Sequence, residues 1–354
     1  MLKKKMSKNT RSNLITYGIV IVAFIVMQTL ISTGSISSLM EGLMIPLCIY
    51  IILAVSLNLV VGILGELSLG HAGFMCAGAF ASAFFSKCMR DVITIAPLRF
   101  FLALLIGVAV AAVFGIIIGI PVLRLKGDYL AIVTLAFGEI IKNLVNVLFI
   151  GKDSNGFHFS TKDVMDLNME ADGTVIVNGP QGITGTPQDS TFVIGVILIL
   201  ITLFIVINMV NSRDGRAIMA IRDNRIAAES VGINVTKYKL MAFTVSAALA
   251  GAAGVLYAHN LSTLTANTNN FGYNMSINIL VFVVLGGIGS IRGSMIAAVV
   301  LTLLPELLRG LSDYRMLIYA IVLILMMLFN WSPKAIEWRE KYLSFGKKKK
   351  EAVK

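Results

Sequence analysis

Hydrophobic runs of about twenty residues recur along the chain, the length a helix needs to cross a hydrocarbon layer about 30 Å thick. The clear ones are Leu14 to Ile31, Leu43 to Leu64, Leu98 to Val122, Thr191 to Val210, Leu240 to His259 and Tyr314 to Trp331. Leu67 to Phe85 is shorter and rich in Gly and Ala, and Tyr129 to Ile150 contains charges. Ile277 to Leu308 divides into two short pieces at Gly286, Gly287, Gly289 and Gly293. In lipid every backbone polar group must be paired within the protein, so such runs fold as helices. With 57% hydrophobic and 14% charged residues, the chain is too apolar for a soluble domain of its 354-residue length. The expected fold is an all-α polytopic transmembrane bundle of about ten spans, some short or broken, with a weak internal repeat. Eight spans is the alternative, if the two short pieces are re-entrant or fused.

Charge sets the orientation. The formal charge of +11 sits mostly at the termini and between apolar runs, the distribution that the positive-inside bias produces, and nucleic acid is set aside on that ground. Tail 1–13 holds five basic residues and no acidic one, and the tail from Lys334 holds eight basic against three acidic. Both termini are therefore expected in the cytoplasm and the span count is even. Loop 151–190 has two lysines against six acidic residues and belongs outside, as a docking lip or lid rather than a domain. Arg124, Lys126, Arg292 and the polar segment 211–239 then fall inside. The first apolar run is read as an uncleaved span, because it exceeds a usual signal-peptide core and shows no A-x-A site. Tail 333–354 begins with an amphipathic KAIEWREKYLSF and ends near a run of lysines, a surface helix with a lipid-facing basic end.

Motifs for chemistry are absent. There is no G-x-x-x-x-G-K-[ST] for ATP, no GxSxG and no HExxH, and the three histidines are scattered. GGIGSIRG misses the dinucleotide spacing. Cys48, Cys76 and Cys88 form no CxxC pair and read as structural filler. No cofactor or metal is expected on this chain, and it is not expected to be an enzyme.

Polar residues inside apolar runs are the informative ones. At 100° per residue Asp128, Glu139, Lys142, Asn143 and Asn146 fall within about 100° of arc, so they share one helix face. That stripe either seals against a neighbouring helix or lines a pathway, and Glu139 and Lys142 are spaced to pair. GELSLGHAG places Glu66, Ser68 and His71 among Gly65, Gly70 and Gly73 at the head of a short span, where a broken helix or close packing is expected. The Gly286 to Gly293 segment invites the same two readings. Gly115 with Gly119, and Ala247 with Gly251, read as packing faces.

The segment NSRDGRAIMAIRDNRIAAESVGINVTKYK, residues 211–239, is charged and helical in character, and a soluble partner is expected to read it. Together with RLKGDYLAIVTLAFGEIIKNL, GELSLGHAGF, AIRDNRIAAESVGINVTKYKLMAFTVSAALAGAAGVLYA and VLGGIGSIRG, it resembles the M-type permease subunit of branched-chain amino acid ABC importers. The likeness runs from Gly62 to Glu306. It implies a second, H-type permease, two cytoplasmic ATP-binding subunits that hold ATP and magnesium, and an extracytoplasmic substrate-binding protein. Permeases for urea and short amides are similar; an ion-coupled carrier or channel is the more distant alternative. The apolar runs set the permease domain at 14–332, in the plasma membrane, and the resemblance also implies an ATPase-coupling helix within Asp223 to Gly232. Its residues would be Arg222, Asp223, Asn224, Arg225, Ala227, Ala228, Glu229 and Gly232. The expected path residues are Glu66, Ser68, Gly70, His71, Gly73, Asp128, Glu139, Gly286, Gly287 and Gly289.

Overall fold

Apolar length translates directly into long helices. The computed structural model describes residues 8–35, 37–123, 125, 127–170, 173–308 and 314–331. Arg124, Lys126 and the expected surface helix after residue 333 lie outside the described residues. The chain opens with α1 (Lys8–Ser32) and α2 (Ser38–Asn58), which continues as a π-helical turn, Leu59–Leu64. Next come α3 (His71–Cys88), α4 (Ala96–Val122) and α5 (Asp128–Val147). After a strand-bearing loop the chain enters α6 (Phe192–Asn211), α7 (Arg213–Asp223), α8 (Arg225–Ser230) and α9 (Val235–Ala258). It closes with α10 (Thr268–Phe271), α11 (Tyr273–Gly286), α12 (Ile291–Leu307) and α13 (Arg315–Trp331). Among the described residues six helices are long and apolar enough to cross a membrane: Asn13–Ser32, Ser38–Leu64, Ala96–Val122, Tyr129–Val147, Phe192–Asn211 and Val235–Ala258.

Small residues decide what lies at the centre. Helix α9 packs against α3, α4 and α2, and its seam reads Ala247, Ala250, Gly251 and Gly254. A side chain at Gly78 of α3 would come within 2.6 Å of the Gly251 backbone, so these two helices meet backbone to backbone. Gly115 likewise faces Ala247. Such contact replaces the hydrophobic driving force that lipid does not supply. Around this centre α2 is almost wholly enclosed, whereas α1 and much of α4 and α5 turn leucine, isoleucine and phenylalanine outward.

The loop after α5 corrects the all-α expectation. Strands β1 (Phe149–Asp153), β2 (Gly156–Ser160) and β3 (Thr174–Asn178) form an antiparallel sheet in the order β2-β1-β3. A shorter pair, β4 (Ile183–Thr184) with β5 (Thr263–Leu264), ties the loop to the end of α9. Asp153 organises the hairpin, its Oδ1 accepting the amides of Asn155 at 2.9 Å and Gly156 at 3.1 Å. Its Oδ2 takes the Glu170 amide at 3.3 Å and lies 2.9 Å from His158 Nε2. Burial pushes the Asp153 carboxyl up, but the Glu170 and Asn155 amides and His158 outweigh it and hold the group below its ordinary value. The loop's far end is pinned by a bidentate pair in which Arg99 of α4 donates to Asp189 from Nε at 3.1 Å and from Nη2 at 2.9 Å.

Candidate functional site

The polar segment is divided by side-chain caps. Ser212 accepts the Gly215 amide at 3.1 Å and starts α7, Asn224 accepts that of Ala227 at 3.0 Å and starts α8, and Asn234 accepts that of Lys237 at 3.0 Å and starts α9. Gly232, at φ 84°, turns the chain between α8 and α9. The expected short helix is thus α8, preceded by a longer helix, α7. Asp223, Asn224, Ala227 and Glu229 are exposed, and Arg225 pairs with Glu229 at 3.0 Å. One residue departs from the expected contact set. Ala228 is buried against the chain's own Ile221 and Val235. Ile226 and Val231, 79% and 74% exposed, were not singled out in the sequence, although apolar side chains in a charged stretch are the available signal.

Arg222 turns back toward the bundle. Its Nη1 donates to the Gly62 carbonyl at 3.0 Å, while its other nitrogens hold Asp223. Residues 65–70 are non-helical, as expected of GELSLGHAG, and begin at Gly65 with φ 79°. Glu66 forms an ion pair with Lys239 near the start of α9. Ser68 is buried. The Leu69 amide donates to Thr134 of α5 at 3.0 Å, the Ala72 amide to Ser276 of α11 at 3.1 Å, and His71 Nε2 lies 2.7 Å from Ser56 Oγ. Gly70 lies against the Thr134 backbone and Gly73 against Gly138, so both provide close approach to α5.

The second break follows α11. Gly287 and Gly289 take φ of 94° and 82°, and Ser290 caps α12 by accepting the Gly293 amide at 3.2 Å. Gly286 packs on Gly293. The Gly289 amide donates to Asn58 Oδ1 at 2.9 Å, which brings this break onto the end of α2. The two glycine segments are neighbours in space.

Glu139, Lys142 and Asn146 of the α5 stripe face one short stretch of chain, whereas Asn143 is exposed. Lys142 pairs with Glu139 and donates to Thr268 Oγ1 at 3.2 Å, Glu139 accepts the Tyr273 amide at 2.8 Å, and Asn146 donates to the Ala266 carbonyl at 3.0 Å. Glu139 therefore holds the start of α11, and the stripe seals this contact. Asp128 opens α5, and its side chain lies outside the described residues.

The sequence model for the branched-chain amino acid transport system / permease component family matches residues 39–329. The chain belongs to this permease family. It is 36% identical over 297 residues to the high-affinity branched-chain amino acid transport system permease protein LivM of Salmonella typhimurium, covering 81% of this chain and 67% of that one. The Escherichia coli K12 LivM protein gives 36% over 298 residues, with the same coverage. The ribose import permease protein RbsC of Escherichia coli K12 is 28% identical over 292 residues, 79% of this chain and 81% of that one. No solved structure matches.

In this permease three polar residues outside the expected set carry structure. Asn58 is fully buried and touches the second break, Lys239 neutralises Glu66, and Arg99 anchors the strand-bearing loop. Each is a polar residue within or just beside an apolar run, and that is the signal for them. Asn58 is the only amide side chain between residues 43 and 64.

Proposed function

We propose that this permease is the M-type subunit of an ATP-driven importer of branched-chain amino acids, and that it forms the translocation path with a second, H-type permease. Ten helices cross the membrane, α1 to α6, α9 and α11 to α13, with both termini and segment 211–239 in the cytoplasm and the sheet outside. Two ATP-binding subunits carry ATP and magnesium, and one of them docks on the exposed residues of α7 and α8. An extracytoplasmic protein delivers substrate on the sheet side. The observation that carries this reading is the capped, charged segment 211–239, with Arg222 reaching the first glycine break, in a chain 36% identical to two LivM permeases. Its surface offers Asp223, Asn224, Arg225, Ala227 and Glu229 to a partner.

The path runs by the segment from Glu66 to Gly73, by the break at Gly286, Gly287 and Gly289, and by Glu139 of α5, the helix on which Gly70 and Gly73 pack. A zwitterion with an apolar side chain needs few charges and many backbone groups, and both breaks offer the latter. The test is uptake of labelled leucine into vesicles holding the assembled complex with ATP in the lumen corresponding to the cytoplasm. Uptake is expected to be competed by valine and isoleucine and abolished by a hydrolysis-dead ATPase. Uptake that persists without hydrolysis overturns the energy coupling, and competition by urea alone overturns the substrate.

A further inference from the structure

The π-turn Leu59–Leu64 has an unusual carbonyl. In an α-helix the Gly62 carbonyl would take the Glu66 amide, but here that amide donates to the Val60 carbonyl at 3.2 Å. The Gly65 amide also points at Val60. The wider turn leaves the Gly62 oxygen to an outside donor, and Arg222 Nη1 supplies it at 3.0 Å. The arginine stem lies flat on the turn: a side chain at Gly65 would come within 2.5 Å of Arg222 Cγ.

On its other flank the same turn holds the second break. Fully buried Asn58 accepts the Gly289 amide on Oδ1 at 2.9 Å and donates from Nδ2 to Ser294 Oγ at 2.9 Å. Gly62 meets Gly289 so closely that any side chain there would fall 2.6 Å from the Gly289 Cα. Both of Asn58's side-chain polar groups are thereby used on residues 289–294.

We propose that the π-turn Leu59–Leu64 is the joint that carries motion from the polar segment into the path, with Arg222 and Asn58 as positioning residues tying α7 to both glycine breaks. This rests on reading the segment as the ATPase contact. A π-turn is a two-state element, because it returns to α-helical register by exchanging one set of amide partners for another. When α7 is drawn away, Arg222 leaves the Gly62 oxygen and the Glu66 amide moves from Val60 to Gly62. The turn tightens, and Asn58 passes the displacement to residues 287–290.

The test uses the assembled complex in vesicles and measures three quantities: retained ATPase subunits, ATP hydrolysis, and ATP consumed per leucine imported. Arg222→Met keeps the stem and removes the donor, Arg222→Lys restores one donor, and Asn58→Ala cuts the link to the second break. Arg222→Met and Asn58→Ala are expected to keep their ATPase subunits yet raise ATP consumed per leucine about tenfold, the factor that one hydrogen bond from a charged or a buried group supports. Arg222→Lys should recover most of the coupling. If Asn58→Ala fails to fold, Ser294→Ala removes its Nδ2 acceptor, together with the Ser294 hydroxyl's bond to the Ser290 carbonyl, and serves in its place. Normal stoichiometry in Arg222→Met and in the Asn58 or Ser294 variant overturns the joint. Glu229→Lys, on α8 and away from the π-turn, tests the underlying reading separately: if it neither loosens the ATPases nor lowers uptake, the segment is not their contact.

Discussion

Lys239 and Glu66 are both charged and both largely removed from water, with side chains 5% and 16% exposed. Neither charge is affordable alone in such a place, so each makes the other necessary. Glu66→Gln is expected to lower the unfolding free energy by about 3 kcal/mol, because it strands the ammonium, and Lys239→Met by a similar amount. The double variant should recover most of the loss, measured as a double-mutant cycle on thermal unfolding in detergent. Additive losses would mean that the two groups do not depend on each other. Glu139 and Lys142 pose a sharper question, because their pair both seals α5 to α11 and lies where a path is proposed. Glu139→Gln alone confounds the two roles. In Glu139→Gln/Lys142→Met no charge is stranded, so stability should largely return. If uptake returns with it, Glu139 is a packing residue; uptake still reduced at least about tenfold in a stable double variant marks a transition-state or binding contact worth about 1.4 kcal/mol.

Elements differ in how far they can be read ahead of the fold. Apolar run length is local, and for that reason the ends of α4, α6 and α13 fall close to those of the runs that predict them. The break before α3 is legible for the same reason, since glycines at Gly65 and Gly70 interrupt the pattern. Partners are not local: Asn58 meets Gly289 and Ser294, which lie 231 and 236 residues further along. The sheet of the strand-bearing loop escaped because turn residues dominate that loop, although TVIVN, Thr174–Asn178, is β-branched at four of its five positions. That sheet has a pH signature. The Asp153 carboxyl is held below its ordinary value of 3.8, so the folded hairpin binds fewer protons than the unfolded one. Its contribution is complete above the ordinary carboxylate range and is lost as pH falls through the lowered folded value. Protection of the amides of the hairpin against exchange, relative to the unfolded chain at the same pH, should therefore hold to about pH 4.5 and fall below it. In Asp153→Asn, protection should be lower at neutral pH and should not fall further in acid; an unchanged acid-induced loss of protection would place the titrating group elsewhere.

At the scale of the whole molecule, the position of the second break bears on how many times the chain crosses the membrane. Two short helices, α11 and α12, would suit a re-entrant pair that turns at mid-membrane. Gly289, however, touches Gly62, whose carbonyl is held by Arg222 of the polar segment. The turn between α11 and α12 therefore lies close to α7, and α11 leads to it from Tyr273, whose amide Glu139 of α5 holds. Thiol labelling tests this with little background, since Cys48 and Cys76 are buried and Cys88, half-buried, is replaced by Ala. Exposed positions report each face: Ser154→Cys on the sheet hairpin, Ser230→Cys at the end of α8, and Ile288→Cys in the turn, where the native side chain is 53% exposed. An impermeant maleimide added to intact cells should label Ser154→Cys alone. Ser230→Cys and Ile288→Cys should react only after the membrane is opened. Labelling of Ile288→Cys from outside, with Ser230→Cys still protected, would make α11 and α12 a re-entrant pair. It would reduce the crossings to eight and separate the second break from the face where the polar segment lies.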